Sequence, residues 1–188
     1  MTPLVPPLYE ARVSDWLRHD LRSKAGLHRV TYEQCDEAAR NLRCPSFEAH
    51  VGKSDATFDE LRMARFRMGH LRYGQRGRSF TNVPRSICER LEAYAHDRNA
   101  EHLVDVYNLC EVEWVFPGRE GMRWQRGSIP SQYPSDTRSA GLFIDLYVLS
   151  GLRSALVELA RWALREYLAG NAQLTPVDDG LHAEETSC

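Results

Sequence analysis

The chain has 188 residues, 43% hydrophobic and 27% charged, with a formal net charge of −2. A chain of this length buries roughly 70% of the surface its unfolded form exposes, so one domain can fold without disulfide or metal staples. Near-neutrality argues against a general binder of nucleic acid or anionic membrane. The five cysteines (Cys35, Cys44, Cys88, Cys110, Cys188) include no C-x-x-C pair. A secreted disulfide framework and a thiolate zinc site are therefore both disfavoured, and Cys88 and Cys110 read as small core residues. Of the 24 basic residues only Lys24 and Lys53 are lysines, a bias that a GC-rich genome explains more simply than guanidinium chemistry at every position. Met1-Thr-Pro-Leu-Val-Pro-Pro has neither the charged start nor the apolar run of a signal peptide. Charged residues interrupt the most apolar stretch, Leu142 to Leu168, which therefore reads as core and not as a membrane span. The cytoplasm is the expected location.

In chain order, Leu8 to about Lys24 carries apolar residues at helical spacing, with Gly26 as a stop. Thr31-Tyr-Glu-Gln34 is a capping box opening a helix to about Leu42, and residues 45–56 read as loop. Thr57-Phe-Asp-Glu60 is a second capping box, followed by a stripe of Leu61, Ala64, Met68 and Leu71 up to Gly74. A Gly/Arg/Ser loop over 74–83 precedes Pro84, which suits the first turn of a helix to about Asp97. Asn99 is a natural N-cap for a helix from Ala100 to about Val115. The short connection forces these two helices into an antiparallel hairpin.

Residues 117–140, rich in Gly, Pro, Ser and Arg, read as a long irregular loop. Gly141 to Ala169 is one long helix, or two meeting at Ser150-Gly151. Residues 111–116 and 142–149 are alternative strands, with helix the better assignment. The expectation is an all-α, mainly helical fold: a compact bundle over residues 1–170 built around the hairpin, with a flexible tail over 171–188.

Charge is distributed unevenly. Leu61 to Cys88 holds seven arginines (62, 65, 67, 72, 76, 78, 85) and no acid, whereas Glu89 to Glu120 holds eight acids and three arginines. Cleavage of a phosphoanhydride needs charge neutralisation and a positioned water. Carboxylates holding Mg²⁺ supply both, and arginines grip the remaining phosphate oxygens. Glu89 and Glu92 share one helical face, and Glu101, Asp105 and Asn108 share another. If the faces oppose, the metal ligands are Glu89, Glu92, Glu101 and Asp105, with Glu92 and Asp105 the catalytic candidates. Arg72, Arg76, Arg85 and Asn108 are then the candidates for holding a nucleotide. The competing reading is a solvated charged face with local Arg–Glu pairs. Asp105 and Asn108, set within Leu103-Val-Asp-Val-Tyr-Asn-Leu, are expected to be partly buried and therefore to have partners.

The segment Glu89-Arg-Leu-Glu-Ala-Tyr … Asn99-Ala-Glu-His-Leu-Val-Asp-Val-Tyr-Asn-Leu is similar to short phage and prophage proteins of uncharacterised function. It also loosely resembles the all-α nucleotide pyrophosphohydrolases of the MazG type, which bind Mg²⁺ through an E-E-x-x-E helix followed by an E-x-x-D helix. The resemblance implies cleavage of nucleoside triphosphates to monophosphates and pyrophosphate by an oligomer. Glu89 and Glu92 match the second and third acids of the first motif, but Cys88 replaces its first acid. Glu101 and Asp105 stand at the second motif with three residues between them instead of two.

Other signals point elsewhere. The seven histidines form no H-x-x-x-H or H-E-x-x-H pattern, and His96 and His102 flank the hairpin turn as the best-placed proton carriers. No nucleotide-binding glycine fingerprint or nucleophile elbow is present. The alternative function is a non-enzymatic interaction or inhibitor protein. It would bind a nucleotide or a protein partner through its arginines and the aromatics Trp114, Phe116, Trp124 and Tyr133.

Overall fold

A computed structural model describes residues 32–73, 82–117 and 138–172. Among them are seven α-helices and no strand: α1 (Tyr32–Leu42), α2 (Pro45–Val51), α3 (Ala56–Tyr73), α4 (Val83–Asp97), α5 (Ala100–Val115), α6 (Arg138–Ser150) and α7 (Ser154–Leu168). The all-α expectation holds among the described residues, and both strand alternatives are helical apart from Phe116, the C-cap of α5. The helix read over Leu8–Lys24, the loop at 74–81 and most of the 117–140 segment lie outside the described residues, as does the tail beyond 172.

Helix α5 is the centre. Twelve of its sixteen residues are buried, and α3, α4 and α7 pack around it. Helix α1 lies on α3, α2 on α7, and α6 on α4 and α7. The hairpin of α4 and α5 forms as its caps dictate. Asn82 accepts from the Arg85 N–H with Pro84 in the first turn, and Asn99 accepts from the Glu101 N–H. Arg98 makes the reversal in the left-handed region at φ 60°, its N–H returning to the Tyr94 carbonyl. Ile87, Leu91 and Tyr94 are the buried face of α4.

Three local readings are corrected. Residues 45–51 are helix α2, not loop: Pro45, read as the stop of the preceding helix, is also the first residue of the next. Phe47 and Val51, four apart, form its buried face, while Arg161 of α7 donates to the His50 and Val51 carbonyls at its C-terminus. So short a helix stands only through such tertiary partners. Helix α3 is capped by Asp55, which accepts from the Phe58 N–H at 2.7 Å, and not by Thr57. Finally, α6 begins at Arg138, inside the segment read as loop; of the two readings of the apolar stretch, the pair of helices meeting at Ser150-Gly151 holds. Gly151 adopts φ 70° after α6, and the break at 151–153 lets α7 turn back.

Candidate functional site

The basic and acidic blocks of the sequence face one another. Arg62 and Arg65, one turn apart on α3, meet Glu101, Asp105, Asn108 and Glu111, which recur at one-turn spacing along α5. The earlier arginine meets the later acids, so the two helices cross in antiparallel sense. Arg65 holds Asp105 through two parallel hydrogen bonds of 2.9 and 2.8 Å, and its third nitrogen lies 3.4 Å from Glu101. From α4, Arg90 adds a contact to Asp105 at 3.2 Å. This bidentate fork is the strongest geometry available to an arginine–carboxylate pair.

Arg62 is deeper, only 2% exposed. Its Nε donates to Asn108 Oδ1 at 3.0 Å, and Asn108 Nδ2 donates back to the Arg62 carbonyl at 3.2 Å. One terminal nitrogen donates to Glu111 and the other lies 3.3 Å from Glu48 and 3.5 Å from Asp59. The guanidinium also lies over the Tyr107 ring, 4.1 Å from its centroid. Glu48 is gripped by Arg43 as well, at 2.7 and 2.9 Å. The second oxygen of Glu111 accepts the Cys44 N–H at 2.6 Å, at the N-terminus of α2.

These surroundings separate the acids. Burial alone would push Asp105 up, but Arg65, then Arg90, hold its carboxyl below the usual range. Glu48 behaves alike, with Arg43 and Arg62 overcoming its burial. At Glu111, which is fully buried, desolvation outweighs the Arg62 charge and the Cys44 N–H, and the carboxyl is pushed up to about 7.

The expected site residues are therefore scattered. Asn108 is buried and Asp105 half-buried, both against arginines of α3; Glu101 is buried beside Arg65. Glu89 and Glu92 lie on the exposed side of α4, with Glu89 2.9 Å from Arg85 one turn earlier. The hairpin thus turns its two acidic faces in different directions. Arg76 and the side chain of Arg72 lie outside the described residues. Among the described residues no group of three or more His, Cys, Asp or Glu is arranged to hold a metal ion. His96 is exposed, whereas His102 is buried with Nε2 3.0 Å from Asp97 Oδ2. Asp97, which also accepts the Asn99 N–H, is held low by these bonds against its partial burial.

A different feature is open to solvent. Leu142, Leu146 and Leu149 of α6, and Leu152 just after it, are 62%, 44%, 66% and 49% exposed. The spacing of four and three places the first three on one helical face. Ala140, Gly141 and Ile144 form the opposite, buried face. The patch borders the end of α5: Tyr147 donates to Glu113 at 2.6 Å, and Arg153 stacks on Trp114 at 4.3 Å while donating to its carbonyl. Val115 and Phe116, next in the chain, are also exposed. The signal for this face is present in the sequence, because from Ala140 to Leu149 only Asp145 of α6 is charged, a pattern that ordinarily means burial on most sides.

The chain matches no protein-family model, no curated protein and no solved structure. No helix among the described residues is long and apolar enough to cross a membrane.

Proposed function

We propose that the chain is a non-enzymatic interaction protein of the cytoplasm, a helical body that presents the leucine face of α6 to a protein partner. The carrying observation is the set of four leucines, each 44% to 66% exposed, on one helix and its following turn. Contiguous apolar surface is costly in water, and patches of this kind on folded proteins mark sites of association. The ion pairs between α3 and α5 support the same reading. They commit Glu101 and Asp105, two of the acids that would otherwise carry hydrolytic chemistry, to fixing the helices.

Photo-crosslinking tests it. A photoreactive residue at position 142 or 149 should give protein adducts in the source cells, and one at the exposed position 89 on α4 should give none. If α6 yields no more adducts than position 89, the reading falls.

A second reading is a Mg²⁺-dependent nucleoside triphosphate pyrophosphohydrolase. It is favoured by one observation: Glu101 and Asp105 converge on a single cation, the Arg65 guanidinium. Mg²⁺ would have to take over that place, with Glu89 and Glu92 swinging in from the other side of α4. Pyrophosphate release from a nucleotide panel with Mg²⁺, abolished in Asp105→Ala, would establish this reading in place of the first. No turnover, and no Mg²⁺-dependent rise in melting temperature, would exclude it.

A further inference from the structure

We infer that helix α2 is a proton-linked latch: it stays seated while the buried cluster around Arg62 holds one extra proton, and lifts from the bundle when that proton is lost. Glu48, Asp59 and Glu111 bring three carboxylates to Arg43 and Arg62, which bring two guanidiniums. Fully ionised, the cluster carries one negative charge in excess. Guanidiniums do not release protons, so the balance is restored only by a carboxyl taking one up. Glu48 has both guanidiniums within reach, and Asp59 is partly exposed and accepts the Ser54 hydroxyl at 2.7 Å. Glu111 is fully buried and shares Arg62 with the other two. The excess therefore falls on Glu111. Its carboxyl, pushed up to about 7 by burial while Glu48 is held low, agrees with that assignment.

The chain entering α2 lies directly on this carboxyl. Cys44 N–H donates to Glu111 at 2.6 Å, and Glu48, one turn later, reaches Arg62. Seven residues do not hold a helix unaided, so α2 depends on this clamp, on Phe47 and Val51, and on Arg161 at its other end. Lifting α2 admits water to Glu111 and takes the Glu48 charge away, and both changes return the carboxyl toward its ordinary value. Loss of the Cys44 bond acts the other way but is outweighed by burial. The seated state thus keeps a proton that the lifted state releases. Seating weakens as pH rises from about 4.5 to about 7 and is level above that. Charged groups on the other neighbouring helices are committed elsewhere: Arg161 of α7 to Glu158 and the α2 carbonyls, and Arg90 of α4 to Asp105. Tyr107 of α5, lying under Arg62, is kept protonated by burial, and His50 of α2 packs against Trp114.

The experiment is native-state hydrogen exchange of the full chain between about pH 5 and 7.5, the window that linkage sets for Glu111, read on peptides from α2 and from α5. The α2 amides should be less protected than those of α5 at every pH. Corrected for intrinsic exchange, their protection should fall by at least about tenfold from about pH 5 to 7. Glu111→Gln keeps the shape and removes the charge, so protection of α2 should no longer change with pH. Glu48→Gln leaves two acids for two guanidiniums and should reduce the fall to less than about threefold. Because Glu48 is partly exposed, this second variant decides the matter even if Glu111→Gln does not fold. Protection of α2 that is flat in the wild type overturns the inference. So does protection equal to that of α5, since α2 would then leave only when the whole chain unfolds. A pH dependence that survives Glu111→Gln places the proton elsewhere, on His50 for example, and also overturns it. A fall unchanged in Glu48→Gln removes the charge excess as its cause and overturns it equally.

Discussion

The seam between α3 and α5 and the outer face of α6 invert the usual placement of side chains. At the seam Arg62 and Glu111 are almost wholly buried, while on α6 Leu142 and Leu149 are mostly exposed. The difference lies in the partners each region finds. A guanidinium offers five donors in a fixed fork, and the seam answers Arg62 with Glu111, Glu48, Asn108 and the face of Tyr107. Buried charge is tolerated when its hydrogen bonds are made. The leucines of α6 find no such answer among the described residues, since the buried face of α6 already meets α4 and α7. Residue type proposes a location; the partners available decide it.

The largest effect should come from unbalancing the seam. Arg62→Met leaves Glu111 and Glu48 without their shared cation and should cost about 3–5 kcal/mol in urea unfolding. Adding Glu111→Leu should recover part of that loss, because a buried ion pair contributes far less than the penalty for breaking it. If the single variant unfolds like the wild type, the seam does not hold the bundle. Asp105→Ala should be milder, about 2 kcal/mol, since Arg65 and Arg90 are partly exposed and can turn to water.

Next comes a difference in pH response within the seam itself. The Glu111 carboxyl is pushed up to about 7 from an ordinary 4.5, so the folded chain keeps a proton that the unfolded chain releases. Its contribution to stability falls as pH rises across that window. Asp105, Glu48 and Asp97, all held low, act with the opposite sign. Their stabilisation is complete above the unfolded carboxylate range and is lost as pH falls through their folded values. A carboxyl-carbon titration should place the Glu111 midpoint near 7, and Glu111→Gln should remove the decline in stability over that window. A midpoint in the ordinary glutamate range would mean that Arg62 outweighs burial.

The smallest effect on folding belongs to α6. Leu142→Gln and Leu149→Gln should each change unfolding free energy by no more than about 0.5 kcal/mol, as substitutions at exposed positions do. A loss of several times that size would mean the leucines are buried within the chain, and the contrast between the two regions would disappear.

Much of the architecture is legible from local chemistry. Asn82-Val-Pro84 and Asn99 place the starts of α4 and α5 because caps and proline act within a single turn. Asp105 and Asn108 are recognisably polar groups needing partners, being set among apolar neighbours. What escapes local reading is which charges meet. The arginines of α3 and the acids of α5 carry matching one-turn spacings, a usable signal, but Arg65 and Asp105 lie 40 positions apart. Nothing within either helix says that they cross. Helix α2 was equally hidden, since its ends are held by Glu111 and Arg161 from remote elements.

The sequence by itself determined an all-α fold for the described residues, the hairpin of α4 and α5, and the segregation of its charge into a basic and an acidic block. Only the tertiary structure decided that the blocks neutralise each other across an antiparallel crossing, that Glu89 and Glu92 face away from Glu101 and Asp105, and that leucines of the mostly apolar α6 find no cover among the described residues. The reason is one of range. Caps, turns and periodicity are settled over a few residues, whereas the burial of a charge or a leucine depends on which distant surface comes to lie against it.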